Sequence, residues 1–249
     1  VTVTDEACIG ALDGAIDLTI SGGSSGGSIV LSEDFNDGML GSFVELNSNV
    51  FVSTASTTSV PPNGGSHSLE IAGGSESHTL ALRSTLISSD VTSLSFYVQS
   101  SSTSTWDAYF RLKNESDGQI LTFQFRSLGD IAINGFPISY NGSNLLYNAN
   151  QWYFVEFRNL DIINSTVDFY LDGQLIVAGH TLENAFGTLA SAVELYNYSS
   201  GSISRFDEIS LTNSSGSSYT VEWENASNTG TIISTDEDLS GLEAGTYNV

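Results

Sequence analysis

The stretch LSFYVQSSSTSTWDAYFRLK, residues 94–113, decides the class of fold. Leu94, Phe96 and Val98 alternate with Ser95, Tyr97 and Gln99. Trp106, Ala108, Phe110 and Leu112 alternate with Asp107, Tyr109 and Arg111. Successive side chains leave a pleated strand on opposite faces, so each run reads as a strand with one face in a core. ILTFQFRS (120–127), WYFVEFRN (152–159), STVDFYLDG (165–173) and AVELYNY (192–198) repeat the pattern. SDG (116–118) and LDG (171–173) stand where hairpin turns are needed, since Asp-Gly readily takes the positive φ angles of tight turns. The best helix candidate, TLENAFGTLAS (181–191), is short. Many strands at regular spacing predict an all-β chain built as a sandwich or jelly roll.

Composition narrows the partners. Of 249 residues, 40% are hydrophobic, enough for a substantial core. Six Lys and Arg stand against 29 Asp and Glu, a formal net charge of −23. Such a field repels phosphate backbones and anionic membranes, which argues against nucleic acid as a partner. Clustered carboxylates favour divalent cations, although acidity also serves solubility. The single cysteine, Cys8, excludes an internal disulfide and reads as a small buried hydrophobe or a reactive thiol. The three histidines, His67, His78 and His180, lack the Cys/His spacing of a zinc site. No apolar run reaches the length of a membrane span, so no direct membrane insertion is expected. With neither a signal peptide nor an initiator Met, the chain reads as a mature fragment.

Two Gly/Ser-rich stretches, SGGSSGGS (21–28) and TNSSGSSY (212–219), interrupt the strand pattern as linkers would. The outer segments are too short to be separate domains, but paired they are not. The simplest topology is an outer domain made of 1–23 and 216–249, split by an inserted domain, 27–213, whose ends lie close together.

The outer segments carry specific residues: Val1 to Asp5, Cys8, Asp13-Gly14, Ile16 to Ile20, Gly22-Gly23, Tyr219, Trp223, and Leu242 with Ala244 to Tyr247. Joined, they resemble one SprB-type repeat, the immunoglobulin-like module found in tandem in large surface adhesins of gliding bacteria. The departure is the insertion of some 190 residues after Gly23, where ordinary repeats have a short turn; a surface turn tolerates this because loop-closure cost grows slowly with length. The resemblance implies an immunoglobulin-like sandwich, adjacent repeats of the same polypeptide as partners, type IX secretion and an extracellular, cell-surface location. Asp13-Gly14 then reads as a turn, with Ile16, Leu18 and Ile20 facing Val221 and Trp223. LEAGTYNV (242–249) ends on a strand signal and VTVTD (1–5) opens on one, as expected of one period taken from a tandem array.

The central segment opens with LSEDFNDGMLGSFVEL (31–46) and closes with SRFDEISLT (204–212). With WYFVEFRN and VDFYLDGQLI (167–176), these ends resemble the concanavalin A-like jelly rolls, especially the laminin-G-like group. The expected fold is therefore an immunoglobulin-like sandwich split by an inserted concanavalin A-like jelly roll. First and last strands of a jelly roll are neighbours, which would bring Glu33, Asp34 and Asp37 near Asp207 and Glu208. Carboxylate and carbonyl oxygens suit Ca2+, the expected cofactor; the alternative is a solvated acidic edge without metal.

Many enzymes of this jelly-roll class use two carboxylates on one strand, at i and i+4. No such glutamate-x-aspartate-x-x-glutamate run is present, and Glu115 and Asp117 flank a turn. No nucleophile-plus-base set and no phosphate loop is evident. Binding is left. The face opposite the predicted core carries Tyr97, Gln99, Tyr109, Arg111, Gln124 and Arg126, joined by Tyr170, Glu194 and Tyr196 from later strands. Rings with fixed polar groups suit a sugar, whereas the plainer alternative is an ordinary exposed sheet face. The sequence thus predicts a non-catalytic module of a repetitive cell-surface adhesin whose jelly roll binds glycan or surface polymers. The competing readings are a fragment of a polysaccharide-degrading enzyme and a spacer without ligand.

Overall fold

The computed structural model describes residues 2–4, 11, 13–17, 28–45, 51–73, 82–182, 189–213, 223–234 and 239–248. Every regular element among them is a β-strand. The chain is therefore all-β, as its alternation predicts, and it divides into two compact units. One is Ser28–Ser214. The other joins Val1–Gly27 to Ser215–Val249.

The larger unit contains two broad antiparallel sheets. The eight-stranded sheet runs Gln174–Thr181, Thr166–Leu171, Tyr153–Asp161, Val91–Ser100, Ile203–Asn213, Ser68–Gly73 and Phe51–Ser56, with Ile29–Glu33 also paired to Ile203–Asn213. The seven-stranded sheet runs Phe136–Pro137, Ile131–Ile133, Gln119–Phe125, Asp107–Asn114, Ala190–Tyr196, Leu82–Ser89 and Val44–Glu45. Apolar residues at alternate positions build one core: Leu94, Phe96 and Val98 from one sheet, Phe110, Leu112 and Phe123 from the other. Phe96 stacks on Phe110 with 4.2 Å between ring centroids, and Phe123 meets Phe96 edge-on at 5.6 Å. The two runs that open the sequence analysis thus lie in opposite sheets and meet through their apolar faces.

Local chemistry sets the connections. Asp172 and Gly173 both take positive φ, 50° and 78°, and form the two-residue turn between Thr166–Leu171 and Gln174–Thr181. At the SDG turn, Asp117 has φ 62° and the Asn114 side-chain oxygen accepts the backbone N–H of Ser116 and Gly118. The ends of the unit meet: Asn213 donates its N–H to the Ser28 carbonyl at 3.1 Å, and Leu31 pairs with Leu211. Most of the helix candidate at 181–191 lies outside the described residues; the strands Gln174–Thr181 and Ala190–Tyr196 occupy its two ends.

One expected core residue is elsewhere. Trp106 packs against Tyr109 and Tyr196. The cause is a bulge: Ala108 has φ 53°, and pairing with Gln119–Phe125 slips between Phe123 and Phe125. One extra residue reverses the faces taken by its neighbours. Trp106 thereby joins the side of Tyr109, and Asp107 becomes fully buried.

The smaller unit holds two three-stranded sheets. Thr2–Thr4 pairs with Gly14–Asp17, which pairs with Leu239–Leu242; Trp223–Asn225 lies between Ile232–Ser234 and Tyr247–Asn248. Ile16 and Trp223 form its buried centre, with Leu242 and Tyr247 packed against them. Leu18, Ile20, Val221, Cys8, Gly22, Gly23 and Tyr219 lie outside the described residues. Two expectations change. Gly14 opens a strand and is not a turn residue; a Cβ there would come within 2.9 Å of the Leu242 carbonyl oxygen, so glycine permits the pairing. LEAGTYNV is not one strand either. Leu242 ends one strand, Tyr247 begins another in the other sheet, and the Tyr247 hydroxyl donates to the Glu243 carbonyl at 2.8 Å between them.

Candidate functional site

The outer face of the seven-stranded sheet is built by four neighbouring strands. On Asp107–Asn114, Tyr109, Arg111 and Lys113 alternate with the core residues Phe110 and Leu112. On Ala190–Tyr196, Tyr196 lies opposite Tyr109 and Glu194 opposite Arg111. Arg83 lies opposite Glu194 from the other side, and Thr122 lies opposite Arg111. The result is a ladder of rows: Tyr196 with Tyr109, then Arg83, Glu194, Arg111 and Thr122, then Lys113. Rows two residues apart along a strand are separated by about 6.6–6.8 Å.

The side chains of this face rest on one another. Tyr109 and Tyr196 stack at 4.2 Å with 19° between their planes, and Trp106 and Tyr198 pack against the pair. The Arg111 guanidinium lies 4.9 Å from the Tyr196 centroid, and the Arg126 guanidinium 5.4 Å from the Trp106 ring. Burial pushes the Tyr109 hydroxyl up to about 12, against the pull of the Arg111 charge, and raises Tyr196 for the same reason. Arg83 donates to Glu194 at 3.0 Å and to Asp117 at 2.7 Å. Arg111 and Lys113 each stop 3.9 Å from the other Glu194 oxygen, too far for a hydrogen bond. Arg111 Nε, Thr122 Oγ1 and Glu194 Oε2 are consequently buried without a hydrogen-bond partner. Such atoms carry a desolvation cost until something meets them. At the end of the face, Arg126 and Asp130 approach to 3.4 Å without hydrogen-bond geometry.

Six of the nine residues expected to share a ligand face are on this sheet or at its end: Tyr109, Arg111, Gln124, Arg126, Glu194 and Tyr196. Tyr97, Gln99 and Tyr170 are on the outer side of the eight-stranded sheet, so the single face predicted from sequence is corrected to two. Alternation tells core from surface, but not which sheet a strand joins. Gln99 is also fully engaged: its oxygen accepts from Arg205 at 2.7 Å and its amide donates to Asn150 O and Ser59 Oγ. Tyr97 leans on Phe154, and Arg158 covers the Tyr170 ring at 4.2 Å. Arg83, Lys113 and Thr122 went unread. Lys113 continues the two-residue spacing of Tyr109 and Arg111, a signal available in the sequence, whereas Arg83 and Thr122 enter only through strand register.

The acidic edge forms where the first and last strands of the larger unit pair, Glu33 opposite Ile209. Its five carboxylates have different tasks. Glu33 accepts from the backbone of Phe35 and Ser42, and Asp37 caps Met39 N–H. Both brace the loop after Ile29–Glu33, Glu33 through both of its oxygens and Asp37 through one. Asp34 accepts from Asn36 N–H, leaving one oxygen. Asp207 Oδ1 accepts from Glu208 N–H, while Oδ2 is buried without a partner. Burial pushes the Asp207 carboxyl up to about 7, with the Glu208 and Asp34 charges adding to the rise against the Glu208 N–H bond. Glu208 is raised as well, first by burial and then by Asp34. Among the described residues, no three His, Cys, Asp or Glu side chains are arranged to hold a metal ion by themselves. Calcium also takes backbone oxygens, and Asp207 Oδ2, buried without a partner, is an oxygen of the kind a hard cation accepts.

No protein-family model and no curated protein matches the chain in sequence. Solved structures do match in shape. A sialidase shares 11% identity over 76% of this chain, with a TM-score of 0.57, and the chain spans 19% of that protein. The cellulose-induced protein Cip1 shares 15% identity, with a TM-score of 0.55, over 73% of this chain and 96% of its own. The globular domain of calreticulin from T. cruzi shares 12% identity, with a TM-score of 0.52, over 75% and 88%. At these identities the likeness is one of fold, a β-sandwich of the jelly-roll kind.

Proposed function

We propose that the larger unit is a non-catalytic glycan-binding module whose ligand lies on the outer face of the seven-stranded sheet. The observation that carries this reading is the half-buried Trp106 and Tyr198 rings, resting on the stacked, buried Tyr109–Tyr196 pair beside Arg111 and Thr122, whose Nε and Oγ1 lack partners. Aromatic rings cover the C–H faces of a sugar, and unmatched donors and acceptors take its hydroxyls. The fold shared with a sialidase and with a cellulose-induced protein supports a glycan as the ligand class. A glycan array with the wild-type chain tests it. Retention of a defined glycan, lost in Tyr109→Leu, supports the module; a folded chain that retains none supports the spacer. Turnover of any retained polysaccharide would overturn the non-catalytic part.

The setting we infer is a large extracellular adhesin, with adjacent repeats as neighbours. Its support is the repeat-like sequence of the outer segments and their joint assembly into one compact unit from both ends of the chain. Further repeats in the flanking sequence on both sides are the expected finding. A Ca2+ ion held by Asp207 Oδ2, Asp34 and Glu208 completes this reading; there it would tie the loop after Ile29–Glu33 to the last strand of the unit.

A further inference from the structure

Resting on the glycan-binding reading of this face, we propose that its ligand is an acidic polysaccharide whose carboxylate or sulfate groups lie over Arg111 and Lys113. The chain has six Lys and Arg in all. Three of them, Arg83, Arg111 and Lys113, project from neighbouring positions on this one face, and Arg126 lies at its end. The remaining two are neutralised on the other sheet: Arg158 by Glu156 at 2.7 Å and Arg205 by Glu70 at 2.8 Å. In a protein of net charge −23, this face gathers three cations against the two carboxylates of Glu194 and Asp117. At physiological salt the Debye length is about 8 Å, so the remote carboxylates are screened and the nearby cations dominate the last approach.

The internal counter-charges do not saturate the cluster. Glu194 binds Arg83 directly, and Asp117 binds Arg83 and lies 3.5 Å from Lys113. Arg111 forms no such bond; its Nε is buried and unmet, and its guanidinium lies over the Tyr196 ring, 4.9 Å from the centroid. That places a planar donor fork over the aromatic cluster on which Trp106 and Tyr198 rest, and such a fork recognises carboxylate and sulfate-like oxygens. Thr122 Oγ1, opposite Arg111 across the strand pair, adds a hydroxyl that can donate to the same group. A neutral glycan would leave Arg111 Nε with only hydroxyl partners.

Affinity electrophoresis and calorimetry with polygalacturonate, dextran sulfate and neutral xylan test the assignment, with Arg111→Gln, Lys113→Gln and the shape-conserving Thr122→Val. Retention by polygalacturonate assigns a uronate, and retention by dextran sulfate alone assigns a sulfate ester. Each Gln variant is expected to weaken that binding by about 10- to 100-fold, the usual cost of a charged hydrogen bond. Nitrogen-detected NMR of the arginine Nε–H groups gives a readout on the unmodified chain: the Arg111 signal should move on adding oligogalacturonate. Equal binding of xylan by the wild type and by Arg111→Gln would overturn the acidic ligand and leave the glycan reading intact. Failure to bind any of the three, by a chain with unchanged circular dichroism, would count against both.

Discussion

Tyr109 and Tyr196 come from neighbouring strands and stack at 4.2 Å on the outer face of a sheet whose inner face stacks Phe96 on Phe110 at the same separation. The inner pair holds the two sheets together, and the outer pair is buried too, under Trp106 and Tyr198. Replacing either outer ring by Leu should abolish glycan retention and also lower the melting temperature, because each leaves unfilled volume beneath Trp106 and Tyr198. Phe96→Ala should cost about 3–5 kcal/mol, read by urea unfolding, because it leaves a cavity between two sheets.

Calcium is expected to raise the melting temperature, and chelator to lower it again. Asp207→Asn should abolish that response without lowering stability in chelator, because it removes a buried charge that lacks a partner. A chelator scan that leaves the wild-type midpoint unmoved would sink the calcium site.

Asp107 provides a pH test. Burial pushes its carboxyl from 3.8 up to about 6, although Ser202, Thr105 and Ser100 hydroxyls pull the other way. The folded chain thus holds this proton more tightly than the unfolded chain does. Its contribution to stability is present below pH 3.8 and is lost as pH rises through about 6. Melting curves between pH 4 and 7 should show Asp107→Asn gaining on the wild type as pH increases. A constant difference across that range would contradict the assignment.

Gly41 has φ 56°, and a Cβ there would overlap the Glu33 carboxylate that accepts from Ser42. Gly41→Ala should cost roughly 1–3 kcal/mol and release that brace. Gly179→Ala, at φ 60° with open space around it, separates the two effects by showing the cost of backbone conformation alone.

Alternation alone reveals the buried positions of Leu94, Phe96, Val98, Phe110 and Leu112, because a period of two survives wherever a strand is flat. It misplaces Trp106, since the bulge at Ala108 depends on a turn-like φ that leaves no mark on hydrophobicity. It cannot separate Tyr97 from Tyr109 either. Both lie outside the core, and only the crossing from one sheet to the other between Ser100 and Asp107 sends them to opposite sides of the unit. The acidic edge was legible as a cluster because first and last strands pair, but local backbone bonds decide that Glu33 and Asp37 brace a loop while Asp207 is left unmet.

The bond from Asn213 N–H to the Ser28 carbonyl has a consequence for the order of events during synthesis. The strands of the smaller unit are separated by the whole of Ser28–Ser214, and closing an unstructured loop of that length precedes any gain from Ile16 meeting Trp223. Once the larger unit has folded, its two ends are already side by side, and that search is over. The smaller unit must also wait for Tyr247 to emerge, after the whole of the larger unit. The larger unit therefore acts as a checkpoint. A lesion in its core would slow the pairing of the outer strands, so that damage to the larger unit is read out first in the smaller one.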